Sequence, residues 1–248
     1  MEKVLLVTGA SAGIGASVAT MAATAGYSVC INYNKNHEKA EALAERIRTA
    51  GVKVITVKAD VSVEADVLNL FDAIDSKLGV ITHLVNNAGI IAPIKSFEET
   101  SLETLQALFS INVYGSFLCA REAVKRMSSK NGGVGGSIVN LSSAAARLGS
   151  PNEFIDYAAR KGAIDTLTLG LSKEVAEYEI RVNAVRLGLI QTELHAHAGD
   201  ASRPEKLKNY IPIKRPGSPD EVAETIIWLL SDSASYVTGA LLDVAGGR

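Results

Sequence analysis

Short apolar runs rich in β-branched residues alternate along the whole chain with longer amphipathic stretches. The short runs predict seven strands, at Val4–Val7, Ser28–Tyr33, Lys53–Lys58, Ile81–Asn86, Ser137–Leu141, Ile180–Arg186 and Ala240–Val244. The amphipathic stretches predict helices at His37–Ala50, Glu64–Leu78, Leu102–Met127, Phe154–Tyr178 and Pro219–Ser231. Strands this short and apolar are typical of a parallel sheet that is buried on both faces. The pattern therefore predicts an α/β fold with a doubly wound, seven-stranded parallel sheet, helices on both faces and right-handed crossovers.

The same alternation indicates how the chain is organised. No internal repeat, low-complexity tract or linker interrupts it, so we expect one domain over residues 1–248. The alternation fails at about 189–217, where three prolines occur. An irregular insertion after a strand is where an active-site lid would lie, so we predict a lid there.

Composition and charge exclude several classes of function. Of the 248 residues, 47% are apolar and 21% are charged, which suits a folded core. The net charge of -2 leaves no basic excess for nucleic acid. Val4–Asn34 carries no charged residue, but glycine, serine and threonine keep it below the ~18 consecutive apolar residues of a membrane span. We expect a cytoplasmic protein without a nucleic-acid or membrane partner.

Histidine and cysteine do not form a recognisable metal pattern. His195 and His197 are two positions apart, but no carboxylate or cysteine pattern beside them supports ligation, so we predict no metal. Cys30 and Cys119 lie in apolar patterns and are expected to be small buried hydrophobic residues.

Glycine-rich segments follow the first and the fourth predicted strands. Thr8–Gly15 reads T-G-x-x-x-G-x-G and opens a helix. Glycine permits a tight turn and close approach of the backbone to a pyrophosphate, while the helix N-terminus favours an anion. Asn86–Gly89, N-N-A-G, ends the fourth strand. Either segment alone could be a structural turn. Their combination favours a nucleotide site at the carboxyl edge of the sheet.

Tyr157 and Lys161 are four residues apart in a strongly helical stretch and therefore share one face. An ammonium near a phenol lowers the pKa of the phenol, which makes tyrosine usable as a general acid or base. The spacing alone is weak evidence. Tyr210 and Lys214 repeat it, but that pair encloses Pro212, which a helix interior does not tolerate.

Two further polar residues are candidates for the same site. Ser143 closes the fifth strand and could donate to a substrate oxygen, or it could simply cap a loop. Asn112 lies inside a helical pattern, where asparagine is mildly unfavourable and usually faces solvent. Its apolar neighbours favour an inward position, and a buried asparagine needs hydrogen-bond partners.

Taken together, these residues resemble the short-chain dehydrogenase/reductase superfamily in its form of about 250 residues. The resemblance covers the whole chain and includes an acidic adenine contact at Asp60, Y-x-x-x-K at Tyr157–Lys161, and Thr192. The terminal Tyr236–Gly239 pattern is similar to the glucose-dehydrogenase-like and 3-oxoacyl-carrier-protein-reductase-like branches.

The resemblance implies a Rossmann fold and a single-step hydride transfer between NADP(H) or NAD(H) and a small carbonyl or alcohol. It implies that Tyr157 is the acid/base, Lys161 lowers its pKa and binds ribose, Ser143 orients the carbonyl, and Asn112 holds a relay water. It also implies a homotetramer packed through helices 102–127 and 154–178. The implied cofactor contacts are Gly9, Ser11, Gly13, Ile14, Gly15, Asn32, Tyr33, Asn34, Lys35, Asp60, Val61, Asn87, Ala88, Gly89, Tyr157, Lys161, Gly188, Ile190 and Thr192.

The chain departs from the family pattern at three places. Leu187-Gly188 stands where the family has Pro-Gly, which implies a less rigid loop. Arg160 replaces a small residue before Lys161, and we expect its side chain to point away from the site. The interval from Ser143 to Tyr157 is one residue longer than usual, which leaves Ser142 as an alternative to the favoured Ser143.

The end of the second strand predicts a preference for NADP(H). NAD-selective folds place an acidic residue there, whereas this chain has Tyr33. Lys35 adds a positive charge, and Ser11, Asn32 and Asn34 could donate to phosphate oxygens. Against this, Ala12 occupies a position where NADP-selective relatives often carry a basic residue.

The substrate is not defined by the sequence. Candidate substrate contacts are Arg147, Phe154, Leu194 and His195. A nucleotide-sensing regulator without catalysis is an alternative, although it would be expected to lose Tyr157 or Lys161. An extended-type epimerase or dehydratase is another, although such enzymes carry a larger C-terminal domain.

Overall fold

The computed structural model of the chain describes residues 2–94, 96–194, 198–200 and 202–248. These residues form a seven-stranded parallel sheet in the order β3-β2-β1-β4-β5-β6-β7. The winding of the sheet reverses between β1 and β4. These two strands pair directly and in parallel, with Leu6 opposite Leu84. The strands are β1 (Val4–Val7), β2 (Ser28–Tyr33), β3 (Val54–Lys58), β4 (His83–Asn86), β5 (Gly136–Ser143), β6 (Ile180–Leu187) and β7 (Leu241–Val244).

Helices cover both faces of this sheet, as the sequence predicts. Alternate residues of β1 point to opposite sides, so Leu5 and Val7 pack in one core with α1, α2 and α9, whereas Val4 and Leu6 pack in the other with α3 and α5. The helices are α1 (Gly13–Thr24), α2 (His37–Arg48), α3 (Glu64–Lys77), α4 (Leu102–Phe109), α5 (Gly115–Met127), α6 (Ala145–Leu148), α7 (Ile155–Glu174), α8 (Arg203–Lys206) and α9 (Pro219–Leu230).

The largest departure from the predicted elements lies within the expected helix Leu102–Met127. It is divided into α4 and α5 by a π-helical turn, Ser110–Tyr114. The Asn112 side chain donates to the Leu108 carbonyl oxygen at 2.7 Å, which satisfies a carbonyl in the widened turn. π-helical turns often occur at functional sites. The other predicted bounds differ by a few residues, and β5 and β6 extend further, to Ser143 and Leu187.

Both cysteines are fully buried in the apolar core, as expected. Burial raises the pKa of the Cys119 thiol to about 12. Within the described ranges, no helix combines the length and apolar character needed to cross a bilayer.

Candidate active site

A cavity of about 330 Å³ opens at the carboxyl edge of the sheet, between the turns that follow β1 and β4. In an open parallel sheet, ligands bind where the winding reverses in this way. Much of the predicted site lines it: Gly9, Ser11, Gly13, Ile14, Asn32, Asn34, Asp60, Val61, Asn87, Ala88, Gly89, Asn112, Tyr157, Lys161, Thr192 and Leu194. We call this the nucleotide cavity.

The turn after β1 requires glycine at two positions for steric reasons. Gly9 has φ +60°, and a Cβ there would lie 2.9 Å from Ala88 Cα. A Cβ at Gly15 would lie 2.6 Å from Asn87 Nδ2. Such distances are too short for any other residue without movement of the neighbours. Gly15 is therefore packed beneath the turn, and it does not line the nucleotide cavity.

Hydrogen bonds hold the two glycine-rich segments together. The Asn87 amide donates to the carbonyl oxygens of Thr8 and Gly9, at 2.8 and 2.9 Å. The Thr8 hydroxyl oxygen accepts from the backbone N–H groups of Asn87 and Ala88, at 3.0 and 2.9 Å. The N-N-A-G segment thus fixes the shape of the first turn.

The open N-terminus of α1 fits the pyrophosphate of a dinucleotide. The helix begins at Gly13, whose φ is +57°. Its N-cap residue is Ala12, and among the described residues the N-cap side chain makes no hydrogen bond to the N-terminal N–H groups. Those N–H groups and the positive end of the helix dipole favour an anion. Since the cavity continues from Ser11 to Lys161, its shape suits an elongated ligand.

The end of β2 differs from the expected phosphate site in the partners of Asn32 and in the positions of Tyr33 and Lys35. Asn32 is buried, its Oδ1 accepts from the Gly9 N–H at 3.1 Å, and its Nδ2 donates to the Ala59 carbonyl oxygen at 3.0 Å. It therefore supports the turn instead of offering a donor to phosphate. Asn34 donates to Asp60 at 2.9 Å. Tyr33 is buried, with its hydroxyl 2.7 Å from His37 Nδ1, and Lys35 is exposed; neither lines the nucleotide cavity.

Tyr157 lies where the nucleotide cavity meets a second cavity of about 90 Å³, and it lines both. Lys161 Nζ is 5.6 Å from the centre of the Tyr157 ring and donates to the Leu141 carbonyl oxygen. Ser143 lines the second cavity, which we call the substrate cavity. Ser142 instead donates to Asp165 at 2.6 Å in the protein interior. Of the two serines, only Ser143 lines the substrate cavity.

Burial governs the ionisation of the two helix residues. It raises the pKa of Tyr157 above its ordinary value, while the neighbouring Ser143 hydroxyl and the positive charge of Arg160 act in the opposite direction. Burial also lowers the pKa of Lys161 to about 8, with repulsion from Arg160 acting in the same sense and Asp165 against it. The net direction at Tyr157 is opposite to the one that the Tyr–Lys pairing predicts, because desolvation is the largest effect.

Asn112 lies at the junction of the π-helical turn and the N-N-A-G segment. It is buried, and its Oδ1 accepts from the Ile90 N–H at 3.2 Å. Its backbone carbonyl oxygen accepts from the Ser116 hydroxyl at 3.1 Å. The inward position expected from its apolar neighbours is confirmed.

The remaining predicted residues fall into three groups. Phe154, Gly188 and Leu194 line the substrate cavity. Arg147 is exposed and pairs with Asp243, and Ile190 lines a separate cavity near Gly217. His195 and His197 lie outside the described residues.

Arg160 does not point away from the site, so that expectation is wrong. Its side chain is fully buried, and its guanidinium carbon is 5.4 Å from the centre of the Tyr157 ring. The i,i+3 spacing from Tyr157 could have indicated this contact, since such residues share a helix face.

Several cavity residues were not predicted. Asn36 and Glu193 line the nucleotide cavity, and Glu193 pairs with Lys39 of α2 at 3.0 Å. Arg203 of α8 lines the substrate cavity, pairs with Glu153 and lies over the Phe154 ring. Nothing in the local sequence indicates a role for these residues, because each lies in an irregular segment or at the margin of a cavity.

Comparison with known proteins gives matches over almost the whole chain. A family model described as "Enoyl-(Acyl carrier protein) reductase" matches residues 9–248. The chain is 52% identical over 245 residues to "Uncharacterized oxidoreductase YgfF" of Escherichia coli (strain K12), covering 99% of each. It is 37% identical over 246 residues to "Glucose 1-dehydrogenase 2" of Bacillus subtilis (strain 168), covering 99% of this chain and 94% of that protein.

A solved structure is similar to the same extent. The 3-ketoacyl-(acyl-carrier-protein) reductase from Brucella melitensis, complexed with NADH, superposes with a TM-score of 0.91 at 34% identity. The match covers 99% of this chain and 98% of that one. The seven-stranded parallel sheet with flanking helices is thus an arrangement that this reductase shares.

Proposed function

The chain belongs to the short-chain dehydrogenase/reductase family, and on that premise we propose that Tyr157 exchanges a proton with the oxygen of a carbonyl or alcohol substrate during nicotinamide-dependent hydride transfer. The family and the named relatives support an oxidoreductase that uses a nicotinamide nucleotide. The observation that carries the proposal is the position of Tyr157, which lines both cavities and has Lys161 beside its ring.

In this proposal the nucleotide lies along the nucleotide cavity. Gly13 and the N-terminus of α1 would hold the pyrophosphate, Asp60 and Val61 the adenine, and Lys161 and Thr192 the nicotinamide end. The five named residues all line the nucleotide cavity, whereas the residues of α1 that follow Ile14 do not. When bound, the nicotinamide supplies the hydride to the substrate carbon, or accepts it in the reverse direction.

The side chains of the protein would handle the proton. In reduction, the Tyr157 hydroxyl donates its proton to the substrate oxygen, and the alcohol leaves. In oxidation the phenolate accepts the proton of the alcohol. Ser143 would orient the oxygen from the substrate cavity. Lys161 would favour the phenolate by its charge, and Asn112 would hold a water that returns protons to Lys161.

The surroundings of the site would supply a lid and a preference for one cofactor. The described part of residues 189–217 would act as a lid, and Leu194 lines both cavities. NADP(H) would be preferred over NAD(H), because Lys35 follows β2 where NAD-selective folds have an acidic residue.

The assembly in this proposal is a homotetramer that packs on helices 102–127 and 154–178. A groove between α5 and α7 supports it. Its lining is mainly apolar, with Phe117, Ala120, Val124, Ala163, Leu167 and Leu171. An exposed apolar groove of this kind is typical of a protein interface.

The test is Tyr157→Phe, assayed by nicotinamide absorbance against a panel of ketones, aldehydes and sugars. We expect kcat to fall about 10²–10⁴-fold, because the hydroxyl is needed when charge develops on the substrate oxygen. Nucleotide affinity should change little. Turnover within a few-fold of the wild type would remove Tyr157 from the mechanism.

A matched control is Tyr178→Phe, which removes the same hydroxyl outside both cavities and should leave kcat unchanged. If the wild type binds nucleotide but reduces or oxidises no compound in the panel, the regulator becomes the better explanation.

A further inference from the structure

Resting on the proposed function, we propose that Arg160 is a positioning residue, whose buried guanidinium fixes the Tyr157 ring against the end of the N-N-A-G segment and favours the phenolate. No part of the family resemblance assigns a role to this position, where the family carries a small residue. Arg160 and Tyr157 are on the same face of α7.

The guanidinium is held on three sides. Its Nη1 donates to the Ile90 carbonyl oxygen at 3.0 Å, its Nη2 donates to Asp156 Oδ2 at 3.0 Å, and its Nε donates to the Asp156 carbonyl oxygen at 3.1 Å. The side chain is fully buried, whereas Asp156 is 18% exposed. These bonds give Arg160 one orientation, with the guanidinium carbon 5.4 Å from the Tyr157 ring centre.

Ile90 connects Arg160 to the nucleotide cavity. Its carbonyl oxygen accepts from Arg160, and its N–H donates to Asn112 Oδ1. Ile90 directly follows Gly89 and lines the nucleotide cavity. The backbone at this point is therefore held by α7 on one side and by the π-helical turn on the other. A substitution of Arg160 would therefore affect both the Tyr157 ring and the backbone at Ile90, where the N-N-A-G segment ends.

The cost of burying this charge argues for a role beyond packing. Removing a guanidinium from water is expensive, and a paired buried charge often stabilises no more than an apolar side chain of similar size. A methionine could fill the same space. The ring of Tyr157, however, has two cations close to it: the Arg160 guanidinium carbon and Lys161 Nζ lie 5.4 and 5.6 Å from its centre. Two cations favour the phenolate more than one does.

Most other charged groups around Tyr157 are paired with each other. Beyond the Phe154 ring, Arg203 pairs with Glu153, and beneath Lys161 the Asp165 carboxylate pairs with Arg186. Arg248 also borders the substrate cavity. Several charged side chains lie around Tyr157 and Lys161 on the elements that pack against them. Among the described residues these are Glu153, Asp156, Arg160, Asp165, Arg186, Arg203 and Arg248.

Two substitutions change the charge beside Tyr157 in opposite directions. Arg160→Met removes the cation and keeps the volume, so the rising limb of the kcat/KM pH profile for oxidation should move up by about one pH unit. On that limb, kcat/KM should fall about tenfold at fixed pH. Asp156→Asn keeps an acceptor for Nη2 but removes the anion, so the profile should move down.

Arg160→Lys is the conservative variant. It keeps the charge, so the pH profile of kcat/KM should stay near that of the wild type. It cannot make all three hydrogen bonds, so kcat should fall several-fold because the Tyr157 ring and the backbone at Ile90 are less well held. Arg160 also lowers the pKa of Lys161, so the ionisation of Tyr157 has to be followed separately by its own spectrum. If Arg160→Met does not fold, Arg160→Lys and Asp156→Asn carry the test.

The assay uses the compound of the ketone, aldehyde and sugar panel, or its alcohol, that the wild type converts fastest. A second readout is the tyrosinate difference spectrum of each variant against the same variant carrying Tyr157→Phe, which needs no turnover. Profiles and spectra that coincide with wild type for both Arg160→Met and Asp156→Asn would overturn the inference. Full turnover in Tyr157→Phe would instead overturn the proposed function.

Discussion

The two ends of the site are built from different interactions. At the nucleotide end, formed by the turns after β1 and β4, neutral groups meet: Asn87 donates to Thr8 and Gly9, and Gly9 donates to Asn32. At the chemical end, formed by the end of β5 and by α7, buried charges meet. Arg160 is fully buried and Lys161 is partly buried beside Tyr157, and Asp165 pairs with Arg186.

This difference predicts where the molecule gains and loses stability. Hydrogen bonds between neutral buried groups replace those made with water and contribute modestly to the free energy of unfolding. Burying a charge costs free energy unless its pairing is excellent. We therefore expect the nucleotide end to stabilise the fold and the chemical end to reduce its stability in exchange for reactivity.

The largest effect is expected at the nucleotide end. Gly9→Ala places a Cβ 2.9 Å from Ala88 Cα and forces a positive φ on alanine. Overpacking and backbone strain together should lower the free energy of unfolding by about 2–4 kcal/mol. Nucleotide affinity should fall as well, since the turn must shift. Chemical denaturation and nucleotide titration measure the two losses.

Gly51→Ala is the matched control. Gly51 also has a positive φ, +78°, but a Cβ there would meet no atom within 4 Å among the described residues. Only the backbone strain remains, so the loss should be about 1 kcal/mol with unchanged nucleotide affinity. Equal losses in the two variants would show that close packing between the first turn and Ala88 does not contribute.

The opposite sign is expected at the chemical end for Lys161→Met. The pKa of Lys161 is lowered to about 8 from 10.5, so below pH 8 the folded protein carries a poorly solvated charge. The shift corresponds to about 3 kcal/mol, so the variant should be more stable than wild type at pH 7 by up to about 3 kcal/mol, although turnover is lost.

The pH dependence identifies the cause. Between pH 8 and 10.5 the unfolded chain retains the Lys161 proton that the folded chain has released. The unfolded state then binds more protons, so the stability of wild type relative to the variant rises with pH across this window. Denaturation of both proteins at pH 7, 9 and 10 should show the difference shrinking. A difference that is constant with pH would contradict the assigned burial cost.

The fold and the nucleotide end could be predicted from the sequence for a physical reason. The pattern of short apolar runs is a direct consequence of a parallel sheet buried on both faces, and the predicted seven-stranded sheet is confirmed. The contacts at Gly9 and Gly15 leave no room for a Cβ, so these positions are restricted to one residue type. The family was therefore recognisable from motifs.

What could not be predicted depends on individual side chains. The π-helical turn at Ser110–Tyr114 does not disturb the apolar pattern enough to be seen, and only the unusual Asn112 pointed to it. The partners of Asn32 lie in the turn after β1 and beyond β3, so its commitment to Gly9 and Ala59 is a property of the tertiary structure. The family pattern of a small residue before Lys161 predicts no contact for Arg160, whereas its position on the same helix face as Tyr157 indicates one.

The smallest expected effect is at the exposed rim of the nucleotide end, where Lys35 follows β2. Burial raises the pKa of the Asp60 carboxyl, but hydrogen bonds from Ser62 and Asn34 lower it overall, and the charge of Lys35 acts in the same direction. With Asn32 committed to the turn, Lys35 and Ser11 remain as the groups that would favour a 2′-phosphate. Asp60 is a negative charge nearby, which opposes such a ligand. A single exposed lysine contributes about 1 kcal/mol, so the NADP(H) preference should be modest.

Lys35→Ala should therefore lower the ratio of kcat/KM for NADP(H) to that for NAD(H) by about five-fold. In wild type the ratio should shrink as salt rises, because the contact is screened by water and ions, and in the variant it should depend less on salt. Lys53→Ala removes the same charge at the opposite edge of the sheet, where Lys53 pairs with Glu2, and should leave the ratio unchanged. A wild-type preference for NAD(H) would mean that the end of β2 excludes the phosphate, with the buried Tyr33 and the Asp60 carboxylate outweighing Lys35.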